Sequence, residues 1–372
     1  MKIAVDAMGG DRAPDAVVEG ALLAAKDLDV QIVLVGQREA IEKSLAKHGA
    51  ARASVEVVAA AETVAMDESP STALRKRDSS LKVAYGLMER GEVQAVVSAG
   101  NSGAMMAVGM FVVGNLPQVD RPAILVVIPT PGKGTVIIDA GANVDCKPRQ
   151  LVQFAFMGSI YSEKVLGVAA PRVGVLSNGE EEGKGNELTR AASEQLAQTS
   201  LNYVGYVEGR DMFNDEVDVV VCDGFTGNVV LKTLEGLAAF IGRTVKRAFQ
   251  ESMVTRIGYL LSRNSLRRAY ARLDYTEYGG APLLGLNGVA IVAHGGSGPK
   301  EIKNAIRVAS QAVSHDVNRH ILEVLTEPDG TQPAAEGFPR RIWQRVKSKI
   351  EHFGDKSSSR EEERETKSGG KG

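Results

Sequence analysis

The stretch Ala95-Val96-Val97-Ser98-Ala99-Gly100-Asn101-Ser102-Gly103-Ala104-Met105-Met106-Ala107-Val108 decides the fold. Its first four residues form a short, largely β-branched run with no polar alternation, as in a strand buried on both faces. A turn of Gly, Asn and Ser follows, and then a helical segment. Similar runs recur at Ile3 to Asp6, Ile32 to Val35, Val55 to Val58, Ile124 to Ile128, Val136 to Asp139, Val173 to Ser177, Val217 to Cys222 and Val289 to Ala293. Helix-like segments lie between them: Ala16 to Leu28, Glu39 to Lys47, Leu81 to Arg90, Pro148 to Ser162 and Glu187 to Thr199. Apolar strands separated by helices imply an α/β fold, with a largely parallel sheet sandwiched by helices.

Such sheets bind ligands beyond the carboxyl ends of their strands. Six of those ends are alike: Asp6-Ala7-Met8-Gly9-Gly10-Asp11, Ser98 to Gly103, Asp139-Ala140-Gly141-Ala142-Asn143, Ser177-Asn178-Gly179, Asp223-Gly224-Phe225-Thr226-Gly227-Asn228 and His294-Gly295-Gly296-Ser297-Gly298. Each loop alone is an ordinary set of turn formers. Six together, with 40 glycines in 372 residues, predict one cleft lined by backbone N–H groups if all lie on one edge.

Composition narrows the chemistry. Lys and Arg total 44 against 46 Asp and Glu, a formal charge of −2, so bulk charge gives no attraction for nucleic acid. Two distant cysteines, Cys146 and Cys222, suggest neither a disulfide framework nor a metal site. No run reaches the roughly 18 apolar residues of a membrane span, so we expect a cytoplasmic protein. Gly179-Glu180-Glu181-Glu182-Gly183-Lys184-Gly185 misses the P-loop spacing, and no G-x-G-x-x-G follows a strand. Gly295 to Pro299 is not a nucleophile elbow, and Cys222 reads as a buried thiol. No nucleotide cofactor and no covalent intermediate are expected.

The loops suit a small oxyanion instead. Gly100 to Gly103 and Gly224 to Asn228 each precede a helix, whose free N–H groups and dipole favour negative charge. Lys184, Lys232 and His294 are polar groups available to complete the site.

Two regions depart from this pattern. An apolar row at Leu237, Ile241, Val245, Phe249, Met253, Ile257 and Leu261 lies among Arg243, Lys246, Arg247, Arg256, Arg263, Arg267, Arg268 and Arg272. A spacing of four drifts around one straight helix, so we expect a projecting helical hairpin over about 236–275, bent near Gly258. Beyond the body at 1–326, the charged, Pro- and Gly-containing segment 327–372 reads as disordered.

The ordered blocks Ile3 to Asp11, Ser98 to Ala104, Gly141 to Asp145, Lys184-Gly185-Asn186-Glu187-Leu188 and Asp223 to Val229 closely resemble the bacterial acyl-acyl-carrier-protein:phosphate acyltransferases of phospholipid synthesis, over about residues 1 to 325. The resemblance implies a phosphotransacetylase- or isocitrate-dehydrogenase-like fold, a homodimer and peripheral membrane attachment. It also implies reaction of a fatty acyl thioester with inorganic phosphate. The family usually reads Gly-Gly-Asp-His-Ala-Pro; Arg12 stands here in place of that histidine.

On this basis we expect Asp6, Gly9, Gly10, Asn101, Ser102, Gly103, Asn143, Asn186, Asp223, Gly224, Thr226, Gly227 and Ser297 to line the substrate site. Asn101 to Gly103 with Lys184 hold phosphate, while Asn228, His294 and the loop from Gly224 face the thioester. Arg75 and Lys76 are candidate contacts for acidic acyl-carrier protein. Arg256, Ile257, Leu260, Leu261 and Arg263 are candidates for contact with an anionic membrane. The alternatives are an acyl-CoA phosphotransacetylase, a decarboxylating dehydrogenase of the same general fold and a non-catalytic membrane scaffold.

Overall fold

The computed structural model describes residues 1–49, 55–181, 183–273 and 279–326. Its strands are β1 (Lys2–Asp6), β2 (Gln31–Gly36), β3 (Val55–Ala59), β4 (Ala95–Ser98), β5 (Ala123–Ile128), β6 (Thr135–Ile138), β7 (Val173–Leu176), β8 (Tyr203–Val207), β9 (Val219–Val221), β10 (Ala281–Leu284) and β11 (Val289–Val292). The helices are α1 (Asp15–Asp27), α2 (Arg38–Ala46), α3 (Pro70–Arg75), α4 (Ser80–Glu89), α5 (Ser102–Val112), α6 (Pro148–Lys164), α7 (Glu187–Leu196), α8 (Gly224–Gln250), α9 (Met253–Leu273), α10 (Pro299–Ser314) and α11 (Val317–Thr326). The strands form one sheet in the order β3-β2-β1-β4-β11-β10-β5-β6-β9-β7-β8.

Pairing is parallel from β3 to β11 and again from β6 to β8. Between these halves, β11 with β10, β10 with β5 and β5 with β6 are all antiparallel. Three reversals leave β6, β9, β7 and β8 running opposite to β1, β4 and β11. The six glycine loops therefore do not share one edge. Those after β1, β4 and β11 leave one edge of the sheet, here called the first edge. Those after β6, β9 and β7 leave the other, the second edge.

Alternation along the strands divides the core into two layers. Ile3, Val5, Val97, Ile291, Leu125, Val136 and Val219 pack under α1, α2 and α10 in one half, and under α6, α7 and α11 in the other. The opposite face carries α3, α4, α5 and the opening of α8 over Ala4, Val33, Val96, Ile124, Ile137 and Val220.

The hairpin exists, with corrected bounds. Helix α8 starts at the strand end and runs unbroken for 27 residues, about 40 Å at 1.5 Å per residue. The chain reverses at Glu251 and Ser252 rather than near Gly258, which lies within α9. Ser252 sets the new start: its Oγ accepts from Thr255 N at 3.1 Å, and its N–H donates to Thr255 Oγ1 at 3.0 Å. A capped start outweighs the roughly 1 kcal/mol cost of an interior glycine. Leu237, Ile241, Val245, Met253, Val254, Ile257, Leu260 and Leu261 are exposed along the arm, and Phe249 packs on Tyr259 at 5.5 Å. The side chains of Arg267, Arg268 and Arg272 and the tail 327–372 lie outside the description. No helix among the described residues is long and apolar enough to cross a membrane.

Candidate active site

At the first edge, Asp6 ends β1 with a buried carboxylate. Its Oδ1 accepts from Met8 N at 3.1 Å and its Oδ2 from Ser98 Oγ at 2.7 Å. Ser98 Oγ in turn accepts from Gly100 N at 3.0 Å. Burial pushes the Asp6 carboxyl up, against the hydrogen bonds that hold it down. The role of Asp6 is to tie two glycine loops together. Gly9 is required there because a Cβ would lie 2.7 Å from both Asp6 Oδ2 and Ser98 Oγ. The third loop joins through Asp11 N donating to Gly295 O at 2.8 Å.

Asn101 caps α5, its Oδ1 accepting from Ala104 N at 3.0 Å. Its Nδ2 donates to Met66 O and Glu68 O, which holds the segment preceding α3 over the loop. Asn101 is therefore fully occupied as scaffold. Ser102 and Gly103 remain available: no carbonyl of α5 precedes them, so their N–H groups have no intrahelical acceptor. Ser102 is exposed. His294 is exposed, and its Nδ1 accepts from Gly296 N at 3.1 Å. The neutral ring thus carries its proton on Nε2. Ser297 is buried behind it. Exposed Arg12 reaches the rim, its Nη1 3.5 Å from where a Cβ on Gly298 would stand.

The second edge has similar residues in a different state. Asp139, fully buried, accepts from the N–H groups of Ile124, Gly141, Ala142 and Asn143 and from Asn143 Nδ2, at 2.7 to 3.0 Å. Burial raises its pKa against those bonds. Asn143 Nδ2 also donates to Pro122 O at 2.7 Å, and Asn143 O accepts from Gly224 N at 2.7 Å. Asp223 caps α8: Oδ1 accepts from Thr226 N and Oδ2 from Thr226 Oγ1, both at 2.8 Å. Gly227 admits no side chain, since its Cβ would lie 1.9 Å from Asp139 O. Asn143, Asp223 and Thr226 hold loops, while Asn228 stays exposed beside Gly141. Burial, then Asp139, pushes the Cys146 thiol up to about 12, and the buried Cys222 thiol is also raised. Neither is an activated nucleophile.

The expected pairing of Lys184 with Asn101 is not made within the chain. Lys184 follows β7 on the second edge, exposed and 4.0 Å from Glu181. His294 is likewise on the opposite edge from Gly224 to Asn228. Asn186 caps α7, its Oδ1 accepting from Thr189 N at 2.9 Å. Lys76 is half-buried, bonded to Glu68 Oε1 at 2.6 Å and to Thr63 O, so it braces the segment before α3 and is not offered to a partner. Arg75 beside it is exposed. Sequence reasoning missed Asp139 and Ser98 as loop anchors; their positions at strand ends, directly before glycine turns, were the available signal.

The 11-stranded, largely parallel α/β sheet has a counterpart among solved structures. A phosphotransacetylase from Streptococcus pyogenes superposes with a TM-score of 0.56 at 18% identity, covering 84% of this chain and 94% of that one. That likeness shows the fold. The profile of the fatty acid synthesis protein family matches residues 1–320, and the chain belongs to that family. The phosphate acyltransferase of Geotalea daltonii is 53% identical over 328 residues, 88% of this chain and 95% of its own length. That of Citrifermentans bemidjiense is 52% identical over 341 residues, 91% and 97% of the two chains. The protein is an acyltransferase.

Proposed function

We propose that the chain moves a long-chain acyl group from acyl-carrier protein to inorganic phosphate, giving acyl phosphate for phospholipid synthesis. The observation that carries this reading is the difference between the two edges. The first offers the N–H groups of Ser102 and Gly103, the Nε2–H of His294 and the Arg12 guanidinium. Carboxylates are present there too, exposed Asp11 and Asp67 on the loops and Glu301 accepting from Gly298 N, but none of them caps the start of α5. At the second edge the carboxylate of Asp223 already occupies the start of α8, whereas the start of α5 is capped by the neutral amide of Asn101, so phosphate is favoured at the first.

Phosphate is already anionic at neutral pH and attacks without a protein nucleophile. A phosphate oxygen bonds to the thioester carbon, and the oxyanion is held by N–H donors. On collapse the carbon–sulfur bond breaks, and the thiolate leaves, taking the proton carried by the hydrogen phosphate. His294 Nε2–H is the proposed oxyanion donor. Arg75, at the same edge, is the proposed contact for the acidic carrier protein.

Incubating the protein with phosphate and palmitoyl-carrier protein, and trapping product as its hydroxamate, tests the reading. Acyl phosphate from the carrier thioester is expected. Product from the CoA thioester alone favours the phosphotransacetylase alternative, and none from either overturns acyl transfer to phosphate.

The exposed apolar row between Arg256 and Arg263 supports peripheral attachment to anionic membrane, and the row on α8 supports pairing with a second copy. Ile257→Glu with Leu261→Glu is expected to abolish co-flotation with anionic vesicles while the dimer persists. Loss of the dimer with vesicle binding intact would reverse these roles.

A further inference from the structure

Helix α5 reads Ser-Gly-Ala-Met-Met-Ala-Val-Gly-Met-Phe-Val, with no charged residue. A helix apolar on every side is ordinarily enclosed. Here Met106 and Met110, one turn apart, border the core of the second face yet stay only half-buried. The reason lies in what covers this face. Helix α4 packs over β1, β2 and β4, and the opening of α8 lies over β6. On the strands between them, Val126 of β5 and Ala281 of β10 are half-buried, whereas Ile124 and Leu283, toward the second edge, are buried. Leu231 of α8 and Ala142 border the same core.

We infer that five of these residues, Met106, Met110, Val126, Leu231 and Ala281, line a trough that holds the acyl chain of the substrate. Its walls are α5 and α8, and its floor is β10 and β5. It opens at the first edge beside Ser102, the first residue of the α5 wall, so a thioester carbonyl held there directs its chain inward. The open floor is Ala281 and Val126, and the buried Leu283 and Ile124 close it toward the second edge. The lining carries no charge, and unbranched methionines adjust to a flexible chain. An acyltransferase must house an acyl group, and this apolar surface is continuous with the proposed reaction centre. The inference rests on the proposed acyl transfer to phosphate.

The test compares kcat/KM for palmitoyl and octanoyl thioesters in the wild type and in Met110→Trp, with Leu231→Trp on the opposite wall as the second variant. Each buried methylene is worth about fourfold in binding. Filling the trough is therefore expected to lower the palmitoyl-to-octanoyl ratio at least tenfold, with a native circular-dichroism spectrum and melt. An unchanged ratio in a folded variant from either wall overturns the inference. Loss of self-association at an unchanged ratio would also overturn it, assigning the trough to a second copy of the chain. Absence of acyl phosphate from every thioester in the wild type fails the functional reading itself and is told apart in that way.

Discussion

The two edges of the sheet use nearly the same vocabulary to opposite ends. Gly100-Asn101-Ser102-Gly103 opens α5 and Gly224-Phe225-Thr226-Gly227 opens α8, each beside a loop begun by a buried strand-end aspartate. At the second edge the cap is the carboxylate of Asp223, whose two oxygens take both the N–H and the hydroxyl of Thr226. At the first edge the cap is the neutral amide of Asn101, and the next residue, Ser102, is left exposed. A helix start that already holds a carboxylate is a poor place for phosphate, and one capped by an amide is a good one. The composition of a loop does not reveal this; the hydrogen-bond ledger does.

Placing a carboxylate at the first edge should erase the contrast. Ser102→Asp is expected to lower kcat/KM for phosphate by about a hundredfold or more, the scale of a lost oxyanion donor or a like charge nearby. Steady-state kinetics at varied phosphate would show it, and a change below threefold would break the comparison.

A smaller effect is expected at the second edge. Asp139→Asn replaces the carboxylate that gathers the loop from Gly141 to Asn143, and should cost about 1.5–3 kcal/mol in urea unfolding. Its pH dependence has a definite sign. Because burial raises the native pKa above the ordinary 3.8, the native state binds the proton first. This contribution to stability is fully present below the unfolded pKa and is lost as pH rises through the native one. On acidification toward pH 4, the wild type should therefore gain stability relative to Asp139→Asn. A flat difference would contradict the buried, charged assignment.

The smallest effect is the converse of the first. The substitution that disables Ser102 adds negative charge to the α5 dipole and is expected to stabilise the fold by about 0.3–1 kcal/mol. Activity and stability would move in opposite directions, as a binding site and not a structural one requires.

The sequence made the strand ends, the helix starts and the amphipathic arm legible, because each is written in local periodicity. It did not show which edge each loop leaves. That depends on β10, where Pro282 and a length of four residues hide a strand, and on the β5–β6 hairpin. The turn of that hairpin, Pro129-Thr130-Pro131-Gly132-Lys133-Gly134, is the local signal of the reversal between β5 and β6. Without both, a largely parallel sheet lets the six loops share one edge and draws Lys184 to Asn101. The bend at Ser252 was hidden for a similar reason, since Gly258 is the louder local signal and capping by Thr255 is the stronger one. Whether Asn101, Asn143, Asn186 and Asp223 are ligands or caps is decided by partners three residues or dozens of residues away, which spacing alone does not supply.

A crystal of the protein soaked with inorganic phosphate tests the central claim most directly. The account predicts phosphate at the start of α5, within hydrogen-bond distance of the Ser102 and Gly103 N–H groups. Phosphate bound instead beside Asp223 at the start of α8, with the first edge empty, would contradict it.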